Sequence, residues 1–527
     1  MDEEAEACKP AEEPEPESVQ TDDAAKRRSD RIFLGVVIAF ICAYIVFFST
    51  LCLLRYANFR ASGLDTAIFS QAIWLMSRFR APVSSIRGMN LYGDHMAPIL
   101  VLLVPLYWLK GNAPALLVVQ TVALGVAALP IYLLARDKLE NRGVALALVI
   151  AYLMYPAVHF LNLFDFHPEA LGLCFLLFAF LMADRRRFGW FYVFCGLAAF
   201  CKEDMVLAVI VLAILVYFLY DKRPGWIVAG AGAVYFMATV LFIIPAFAPA
   251  GYQYSGRLGQ FGKTPVEAVK NMILHPLHTF SVLATRQNLA YVLELALPVA
   301  FLCFLAPVYL LPALPAFVIN IISDFEPQHT IAFQYTAAII PFVFIAAIFG
   351  IKRFKKWSDG AFRARKILGG IAAVMVLCAF ASAVFFGPSP LAGGWRTKAY
   401  TSDAHIDTIR AALKDIPLDA SVSAQVFLLA HLSTREKLYM FPNPFPDFVD
   451  REYYDDLGEG KSIVFPGVKR GAKVTPPEYV VLDRATSFSP LPDDGEQYGK
   501  VIDRILAGGR YETVFDDSGV LVLKRAP

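Results

Sequence analysis

Cysteine is scarce in this sequence of 527 residues, which has eight in all and no pair in CxxC spacing. Seven of the eight lie in or beside apolar runs, where small buried thiols are the ordinary role of the residue. Residues 388–527 contain none. This distribution favours buried free thiols over disulfide bonds or a cysteine metal site.

Motifs for several classes of chemistry are also missing. The sequence has no glycine-rich nucleotide-binding motif, no Walker sequence and no G-x-S-x-G nucleophile elbow. The net charge is only +2, and no basic patch interleaved with aromatic residues indicates nucleic-acid binding. No internal repeat stands out, which weakens the case for a secondary transporter built from repeated halves.

A cleavable signal peptide is not predicted. Residues 1–26 are acidic and rich in Glu, Ala and Pro, a composition typical of disorder. A basic cluster within residues 26–31 then precedes an apolar run that ends near Leu54. The run is too long for a signal-peptide core, so we expect an uncleaved signal anchor with the N-terminus in the cytoplasm.

Long apolar runs are what the sequence has in abundance. Hydrophobic residues make up 57% of the chain and the mean hydropathy is +0.52. Several runs reach the roughly 20 apolar residues that cross a bilayer. We therefore predict a polytopic α-helical membrane protein with about 11 to 13 spans in the plasma membrane. The predicted spans are 32–54, 115–135, 143–162, 168–184, 188–201, 205–220, 226–247, 290–308, 310–325, 332–351 and 367–387.

Positive charges predict how these spans are oriented, because cytoplasmic loops are enriched in Lys and Arg. Basic clusters occupy the loops 136–142, 185–187, 222–223 and 352–366. If all four are cytoplasmic, the C-terminus lies outside, together with residues 163–167, 202–204 and 248–289. The apolar segment 96–108 is too short to span, so we expect it to be re-entrant or to lie in the outer interface.

Three regions follow from this pattern. They are a disordered cytoplasmic N-terminus (1–31), a transmembrane domain (32–387) and an extracytoplasmic α/β domain (388–527). The elements predicted in the last region are helices over 401–413 and 498–507, strands over 421–429 and 479–483, and a hairpin of 511–515 with 520–524.

The most informative polar interruption follows the first predicted span. Asp65 begins an amphipathic helix that runs to Trp74, and spacing alone slightly favours an N-cap role for it. The alternative is a base or metal-holding carboxylate, because ionisable side chains in membrane regions are costly and tend to line sites. Gln71, on the same helix, is a candidate for substrate binding.

Two further clusters end apolar runs. Asp165, His167 and Glu169 alternate along the chain, and Pro168 discourages a helix through His167. Such a turn would suit Mg²⁺ or Mn²⁺ through carboxylates and Mn²⁺ or Zn²⁺ through imidazole. A plain polar turn in which Glu169 caps the next helix is about as compatible with the sequence.

The residues Asp94 and His95 either end an interfacial loop or form part of a metal or phosphate site. The candidate metal ligands are His95, Asp165, His167 and Glu169.

Lys202, Glu203 and Asp204 end another apolar run. They either neutralise one another at a helix end or place Lys202 where it binds a phosphate. A late segment with His329 and Tyr335 is expected to face the same cavity, whereas Arg257 is interpreted as an ordinary solvated charge. The candidate substrate-binding residues are Gln71, Asp94, Lys202, Glu203, His329 and Tyr335.

In this order, the polar segments resemble the bacterial membrane family known as domain of unknown function 2079, over roughly residues 35–520. The layout is also similar to that of GT-C glycosyltransferases, which include protein mannosyltransferases and aminoarabinose transferases. Those enzymes carry an acidic residue in the first external loop, use polyprenyl-phosphate sugars and often end in an external domain. The segments that carry the resemblance are Asp65–Trp74, Gly93-Asp94-His95 with Pro98, Pro105-Leu106-Tyr107, Gln120, Tyr155-Pro156, Asp165–Glu169 and Lys202-Glu203-Asp204.

The resemblance implies a glycosyltransferase that moves a sugar from a polyprenyl-phosphate donor to an acceptor at the outer face of the plasma membrane. By position, Asp65 matches the first-loop catalytic carboxylate and Asp165 or Glu169 a second acidic site, while His95 and His167 depart from the GT-C pattern. The alternative function is a transporter or flippase for a lipid or polar solute, whose charges should lie near the midplane. If the chain is an enzyme, the Asp65 carboxyl should lie within roughly 15 Å of the His167 ring. The two histidines should be closer still if they share a cation.

Overall fold

Apolar helices make up most of the chain before residue 387. The computed structural model describes residues 17–109, 111–248, 254–262, 264–357, 361–448, 475–486 and 495–527. A two-stranded hairpin, β1 (Val83–Ser84) and β2 (Met89–Asn90), lies among the first helices. The helices of this part are α1 (Glu17–Ala57), α2 (Leu64–Ser77), α3 (Leu91–Asp94), α4 (Val104–Trp108), α5 (Ala113–Val126), α6 (Ala128–Leu139), α7 (Arg142–Leu153), α8 (Pro156–Leu163), α9 (Pro168–Asp184), α10 (Phe188–Ala199), α11 (Met205–Leu219), α12 (Lys222–Ala238), α13 (Ile244–Phe247), α14 (Pro265–Leu274), α15 (Pro276–Leu283), α16 (Arg286–Ala296), α17 (Leu314–Ile322), α18 (Ile340–Trp357) and α19 (Ala361–Phe386).

Fewer helices are long enough to cross a membrane than the sequence predicts. In the described part of the chain, four helical segments have the necessary length and hydropathy, and the pair α7 and α8, bent by 42°, makes a fifth. The four are Lys26–Ala57, Ala113–Leu139, Lys222–Phe247 and Lys366–Phe386. Shorter apolar helices such as α10 and α11 lie between them. The total number of spans therefore stays a prediction.

Two predicted boundaries are wrong. Residues 17–31, predicted as part of a disordered N-terminus, belong to α1, while residues 1–16 lie outside the described residues. The predicted span 332–351 becomes helical only at Ile340. The tight pair 290–308 and 310–325 carries four prolines that predict broken helices, and it is indeed broken into short α- and 3-10-helical pieces. Left-handed backbone at Ala300 and Phe301 interrupts the first of that pair, as expected for broken helices.

The helix α9 lies at the centre of this helical region. It buries most of its length and packs against α5, α10 and α18. Peripheral helices instead leave large apolar side chains on the surface, including Val46 on α1 and Phe385 on α19, which are 67% and 78% exposed. Exposed apolar side chains on long peripheral helices are suited to contact with lipid chains.

The predicted basic loops lie together at one end of the helices. Lys138 pairs with Asp184 at 2.6 Å, and Arg185 pairs with Asp137 at 2.7 Å. Lys355 donates to the backbone oxygen of Leu139 at 3.1 Å. These contacts join the loops after α6, α9 and α18, three of the segments that the charge pattern places on one side.

The described residues between 397 and 527 form a mixed sheet with two α-helices, in agreement with the α/β region that the sequence predicts. Its helices are α20 (Ala404–Lys414) and α21 (Glu496–Ala507). Its strands are β3 (Val422–Ala424), β4 (Leu438–Met440), β5 (Tyr479–Asp483), β6 (Tyr511–Asp517) and β7 (Val520–Arg525). The strand order is β4-β3-β5-β7-β6, with β3 parallel to both neighbours and β7 antiparallel to both of its own. The strand predicted over 421–429 is shorter, because Val426–Leu432 forms a 3-10 helix.

This α/β region is docked on α2. Ser70 and Ser433 share a hydrogen bond of 2.7 Å, and the Gln71 amide donates to the backbone oxygen of Arg435 at 3.1 Å. The ring of His431 stacks on Tyr56, with centroids 4.0 Å apart. The helix that carries Asp65 is therefore packed directly against the C-terminal region.

Candidate active site

The start of α2 is fixed by a carboxylate from a distant part of the chain. Asp165, fully buried between α8 and α9, accepts hydrogen bonds from the backbone N–H groups of Gly63 at 2.9 Å and Asp65 at 3.1 Å. Gly63 adopts left-handed backbone with φ of 82°, which a glycine tolerates at no steric cost. Asp165 thus satisfies helix-terminal donors that would otherwise lack partners.

The Asp65 side chain is therefore not an N-cap, and the role that spacing alone slightly favours is wrong. Its carboxylate Oδ2 lies 3.2 Å from Nε2 of His167. This is an ion-pair distance without hydrogen-bond geometry, since Nε2 of His167 makes no hydrogen bond. The Asp65 side chain remains 34% exposed, whereas that of His167 is 3% exposed. The predicted proximity of these two residues is confirmed.

Three backbone and side-chain contacts orient the His167 turn. Nδ1 of His167 lies 3.0 Å from the Asp165 backbone oxygen. Its backbone N–H donates to Oε1 of Gln120 at 2.8 Å, and the Phe166 N–H donates to Thr66 Oγ1 at 2.9 Å. Because Nδ1 faces a carbonyl, Nδ1 carries the proton in the neutral ring and Nε2 is left to face Asp65.

Asp65 and His167 each stabilise the charged form of the other. Burial opposes the charge on Asp65, but the adjacent His167, followed by His95 and Arg87, holds the pKa of the Asp65 carboxyl below its usual range. Burial alone would lower the pKa of His167, but the Asp65 carboxylate raises it. Asp165 differs, because burial and the Asp65 charge raise the pKa of its carboxyl. Neighbouring carboxylates with pKa values displaced in opposite directions are typical of catalytic sites.

Lys202 is committed to carboxylates of its own. Its Nζ lies 2.6 Å from Oε1 of Glu169 and 3.6 Å from Oδ2 of Asp204. Burial opposes its charge, but Asp204, Glu169 and Glu203 raise the pKa of Lys202 well above its usual value. A lysine neutralised by two carboxylates offers little net attraction to a phosphate. The arrangement supports mutual neutralisation rather than the predicted phosphate contact.

A second buried network surrounds the predicted residues Asp94 and His95. Arg87 pairs with Asp94 at 3.0 Å, and the Tyr254 hydroxyl donates to Oδ1 of Asp94 at 2.7 Å. Nδ1 of His95 lies 3.4 Å from Oε1 of Glu203, and its ring stacks on Tyr254 with centroids 5.0 Å apart. This network lies beside the Asp65–His167 pair, because Phe69 on α2 contacts the rings of both histidines.

Gly93 shows why the Gly93-Asp94-His95 motif needs its first residue. A Cβ added there would lie 2.5 Å from the backbone oxygen of Phe247, which is closer than two such atoms can approach. The glycine allows the end of α13 to lie against α3, and this packing holds Asp94 in place.

Two predicted substrate-binding residues make structural contacts. Gln71 has no exposed surface, and its amide donates to the Ser85 hydroxyl and to the Arg435 backbone oxygen, so its role in substrate binding stays a prediction. Both ring nitrogens of His329 are used, by Oδ1 of Asn288 at 2.8 Å and by the backbone oxygen of Ser323 at 2.6 Å. The predicted role of His329 in substrate binding stays a prediction.

The four predicted metal ligands do not form a common cage. Within the ranges that the structure describes, no group of three or more His, Cys, Asp and Glu side chains is arranged to hold a metal ion. Asp165 is bound by backbone N–H groups, Glu169 by Lys202, His95 by Glu203 and Tyr254, and His167 by Asp65. The residues present thus do not fit a preformed metal site, and cation binding stays a prediction.

Sequence reasoning missed Arg87 and Tyr254, and it misinterpreted Arg257. The guanidinium of Arg257 lies over the rings of Tyr254, Phe325 and Tyr335, at 4.5, 4.4 and 5.6 Å from their centroids. The structure thus places the predicted residue Tyr335 beside Arg257. No local pattern singles out Arg87, but a tyrosine three residues before Arg257 was a signal available for that residue.

Comparisons with known proteins identify the family. The model of the predicted membrane proteins called DUF2079 matches residues 55–522. Among solved structures, the chain is similar to ArnT from Cupriavidus metallidurans in the apo state, with a TM-score of 0.45, 12% identity and coverage of 92% of this chain and 98% of that one. It is also similar to the archaeal oligosaccharyltransferase AglB from Archaeoglobus fulgidus, solved with an inhibitory peptide and a dolichol-phosphate. That TM-score is 0.40, with 14% identity and coverage of 92% of this chain and 74% of that one.

No curated protein matches the chain. The family model, however, spans most of its length, and the apolar helices described above agree with its membrane character. The protein belongs to the DUF2079 family of predicted membrane proteins.

Proposed function

We propose that this protein is a membrane glycosyltransferase that moves a sugar from a polyprenyl-phosphate donor to an acceptor hydroxyl at the outer face of the plasma membrane. The observation that carries the proposal is the Asp65–His167 pair. It consists of a carboxylate that is partly exposed, lies 3.2 Å from an imidazole nitrogen and is held at the ends of apolar helices. The order of polar segments, which resembles that of GT-C enzymes, supports the reaction class.

Asp65 is the proposed general base. The acceptor hydroxyl loses its proton to the Asp65 carboxylate as its oxygen bonds to the anomeric carbon. The bond from that carbon to the donor phosphate breaks, and the bonding electrons leave with polyprenyl phosphate. Because the pKa of Asp65 is lowered, the carboxylate is ionised at neutral pH and ready to accept a proton, as a general base must be.

His167 and Asp165 act as positioning residues in this proposal. His167 contacts one oxygen of Asp65, and Asp165 fixes the backbone from which the Asp65 side chain projects. Groups held in place before the substrate arrives lose little entropy in the reaction. Asp165 lies about 100 residues from Asp65 in the sequence, and its contact with the backbone holds Asp65 in place before a substrate binds.

No step of the proposed reaction passes through a metal ion. The predicted divalent cation, Mg²⁺, Mn²⁺ or Zn²⁺, would need several ligands around one centre, and the four candidates have separate partners here. We therefore expect transfer to continue after treatment with EDTA, followed by removal of the chelator.

The decisive test is the substitution Asp65→Asn. Purified full-length protein would be given a polyprenyl-phosphate hexose and a range of hydroxyl acceptors, with release of polyprenyl phosphate as the readout. We expect the variant to lose about 10²- to 10⁴-fold in turnover, the usual contribution of a general base. Asp137→Asn, the same change at the opposite end of the helices, should leave turnover unaltered. Full turnover by Asp65→Asn would remove Asp65 from the mechanism.

The alternative, a transporter or flippase for a lipid or polar solute, has its own signature. Vesicles that contain the protein and a fluorescent polyprenyl phosphate would lose accessible fluorescence as the lipid changes leaflet, without any sugar transfer. That result, together with no release of polyprenyl phosphate from any donor, would replace the enzymatic proposal with the transport one.

A further inference from the structure

Arg257 has an unusual environment for a cation in an external loop. Three aromatic rings, those of Tyr254, Phe325 and Tyr335, surround its guanidinium within 6 Å. One of its terminal nitrogens donates to the Tyr335 hydroxyl at 3.4 Å, a long hydrogen bond. Aromatic faces attract a cation and hold a planar guanidinium in one orientation, but they do not neutralise its charge.

The other cations of the site have carboxylate partners. Arg87 pairs with Asp94, His95 with Glu203, His167 with Asp65, and Lys202 with Glu169 and Asp204. Arg257 differs, because no carboxylate of the described ranges lies within ion-pair distance of it. Its Nε is also buried without a hydrogen-bond partner. An arginine with an uncompensated charge and an unused donor is prepared to receive an anion.

The rings around Arg257 are joined to the buried network of Asp94 and His95, which lies beside the Asp65–His167 pair. The Tyr254 hydroxyl contacts Nε2 of His95 at 3.2 Å and donates to Asp94. Tyr335 lies within electrostatic range of both Asp65 and Lys202. An anion bound at Arg257 would thus lie at the edge of the cluster that contains the proposed base.

We propose that Arg257, held by Tyr254, Phe325 and Tyr335, is the binding site for the phosphate group of a phosphate ester at the candidate active site. Two nitrogens of a guanidinium can donate parallel hydrogen bonds to two phosphate oxygens, which is why arginine is favoured at phosphate sites. The assignment rests on the proposed function only in taking this phosphate to belong to a lipid-linked donor. It replaces Lys202, whose charge is already neutralised.

Binding, rather than turnover, tests the assignment. Full-length protein in detergent would be titrated with a polyprenyl phosphate, with the matching uncharged polyprenol and with inorganic phosphate, and the change in tryptophan fluorescence would be recorded. We expect Arg257→Gln to weaken polyprenyl-phosphate binding at least tenfold, the loss typical of a charge-assisted contact, and to leave polyprenol binding unchanged. Arg257→Lys should give an intermediate loss of affinity, because lysine keeps the positive charge but lacks the paired N–H donors of the guanidinium.

The controls separate folding and ligand source from the assignment. Arg286→Gln, on an exposed turn of α16, should bind as the wild type does, and unchanged polyprenol binding shows that the Arg257 variants are folded. Inorganic phosphate that competes as well as the lipid would assign the site to a free phosphate. Equal polyprenyl-phosphate binding by wild type and Arg257→Gln, or none by the wild type, would overturn the assignment. Arg257-dependent binding without any sugar transfer would overturn the proposed function alone.

Discussion

At the residue scale, the contacts of His167 determine the charge of the pair. If Nδ1 donates to the Asp165 backbone oxygen, a neutral ring would present a lone pair on Nε2 to the Asp65 carboxylate 3.2 Å away. Two facing lone pairs repel, so the ionised carboxylate favours the imidazolium. The raised pKa of His167 and the lowered pKa of Asp65 agree with this.

The stability that the pair contributes has a defined pH window. The stabilising contribution of His167 to folding is complete below the ordinary histidine pKa of 6.5, and it is lost as pH rises through the raised pKa of His167. The stabilising contribution of Asp65 to folding is complete above the ordinary aspartate pKa of 3.8, and it is lost as pH falls through the lowered pKa of Asp65. The pair is therefore most stabilising between these limits, in mildly acidic and near-neutral solution.

We predict that His167→Gln moves the acid limb of the activity profile to higher pH. The substitution removes the cation that lowers the pKa of Asp65, so the carboxylate takes up a proton at a higher pH than in the wild type. Activity at the optimum should also fall by up to about 100-fold, because the carboxylate loses the contact that orients it. The measurement is kcat/KM for sugar transfer as a function of pH.

A matched control is His278→Gln, the same change at an exposed position on α15. It should leave both the optimum and the acid limb in place. An acid limb that is the same in His167→Gln as in the wild type would mean that Asp65 is not the group whose ionisation controls the rate.

The sequence predicts part of this site and not the rest for a physical reason. Asp65, Asp165 and His167 stand out because charged groups at the ends of apolar runs are costly. Tyr254 does not stand out, since its partner Asp94 is 160 residues away and no local pattern records a contact over that separation. Contacts between distant residues also decide what each residue does. The spacing around Asp65 favours an N-cap role for that residue, but Asp165 is the residue that caps α2.

At the element scale, α2 is held from two sides. Asp165 binds its first turn from the helical region, and the 3-10 helix Val426–Leu432 packs against the same turn from the C-terminal region. A Cβ on Gly63 would lie 3.2 Å from the Val426 backbone oxygen. The position of Asp65 therefore depends on the C-terminal region as well as on the membrane helices.

We predict that Gln71→Leu destabilises the protein by about 1–3 kcal/mol, the cost of leaving buried polar groups without partners. The side-chain amide contacts the backbone oxygens of Arg435 and Glu436 and the hydroxyl of Ser85, and leucine satisfies none of them. Thermal unfolding in detergent should occur at a lower temperature. Gln287→Leu, an exposed position on α16, serves as the control, and equal midpoints for the two variants would contradict the role of Gln71.

Elements with a strong local pattern are predicted well. The hairpin of β6 and β7, the buried strand β5 and the helix α20 lie where alternation, hydrophobicity and helical periodicity place them. The prolines of the pair 290–308 and 310–325 predict that these helices are broken, and they are. Hydropathy alone does not give the positions of the breaks, such as those at Ala300 and Phe301, because it measures composition.

At the scale of the whole molecule, the basic loops and the candidate active site lie at different ends of the helices. One end gathers the basic loops, where Lys138 and Arg185 pair with nearby aspartates. The candidate active site lies in the loops before α2, α9 and α11, which the charge pattern places on the other side of the membrane. If the basic loops are cytoplasmic, as such loops usually are, the lipid-linked sugar of the proposed function would meet Asp65 outside.

We predict that residues 388–527 lie outside the cell. In a variant whose native cysteines are replaced, a cysteine at Ser402, which is exposed, should react with a membrane-impermeant maleimide in intact spheroplasts. A cysteine at Arg187, in the loop between α9 and α10, should react only after the membrane is permeabilised. Labelling of both positions after lysis confirms that each is accessible. The reverse pattern in intact cells would place Asp65 on the cytoplasmic side, where the proposed donor and acceptor would both have to be cytoplasmic.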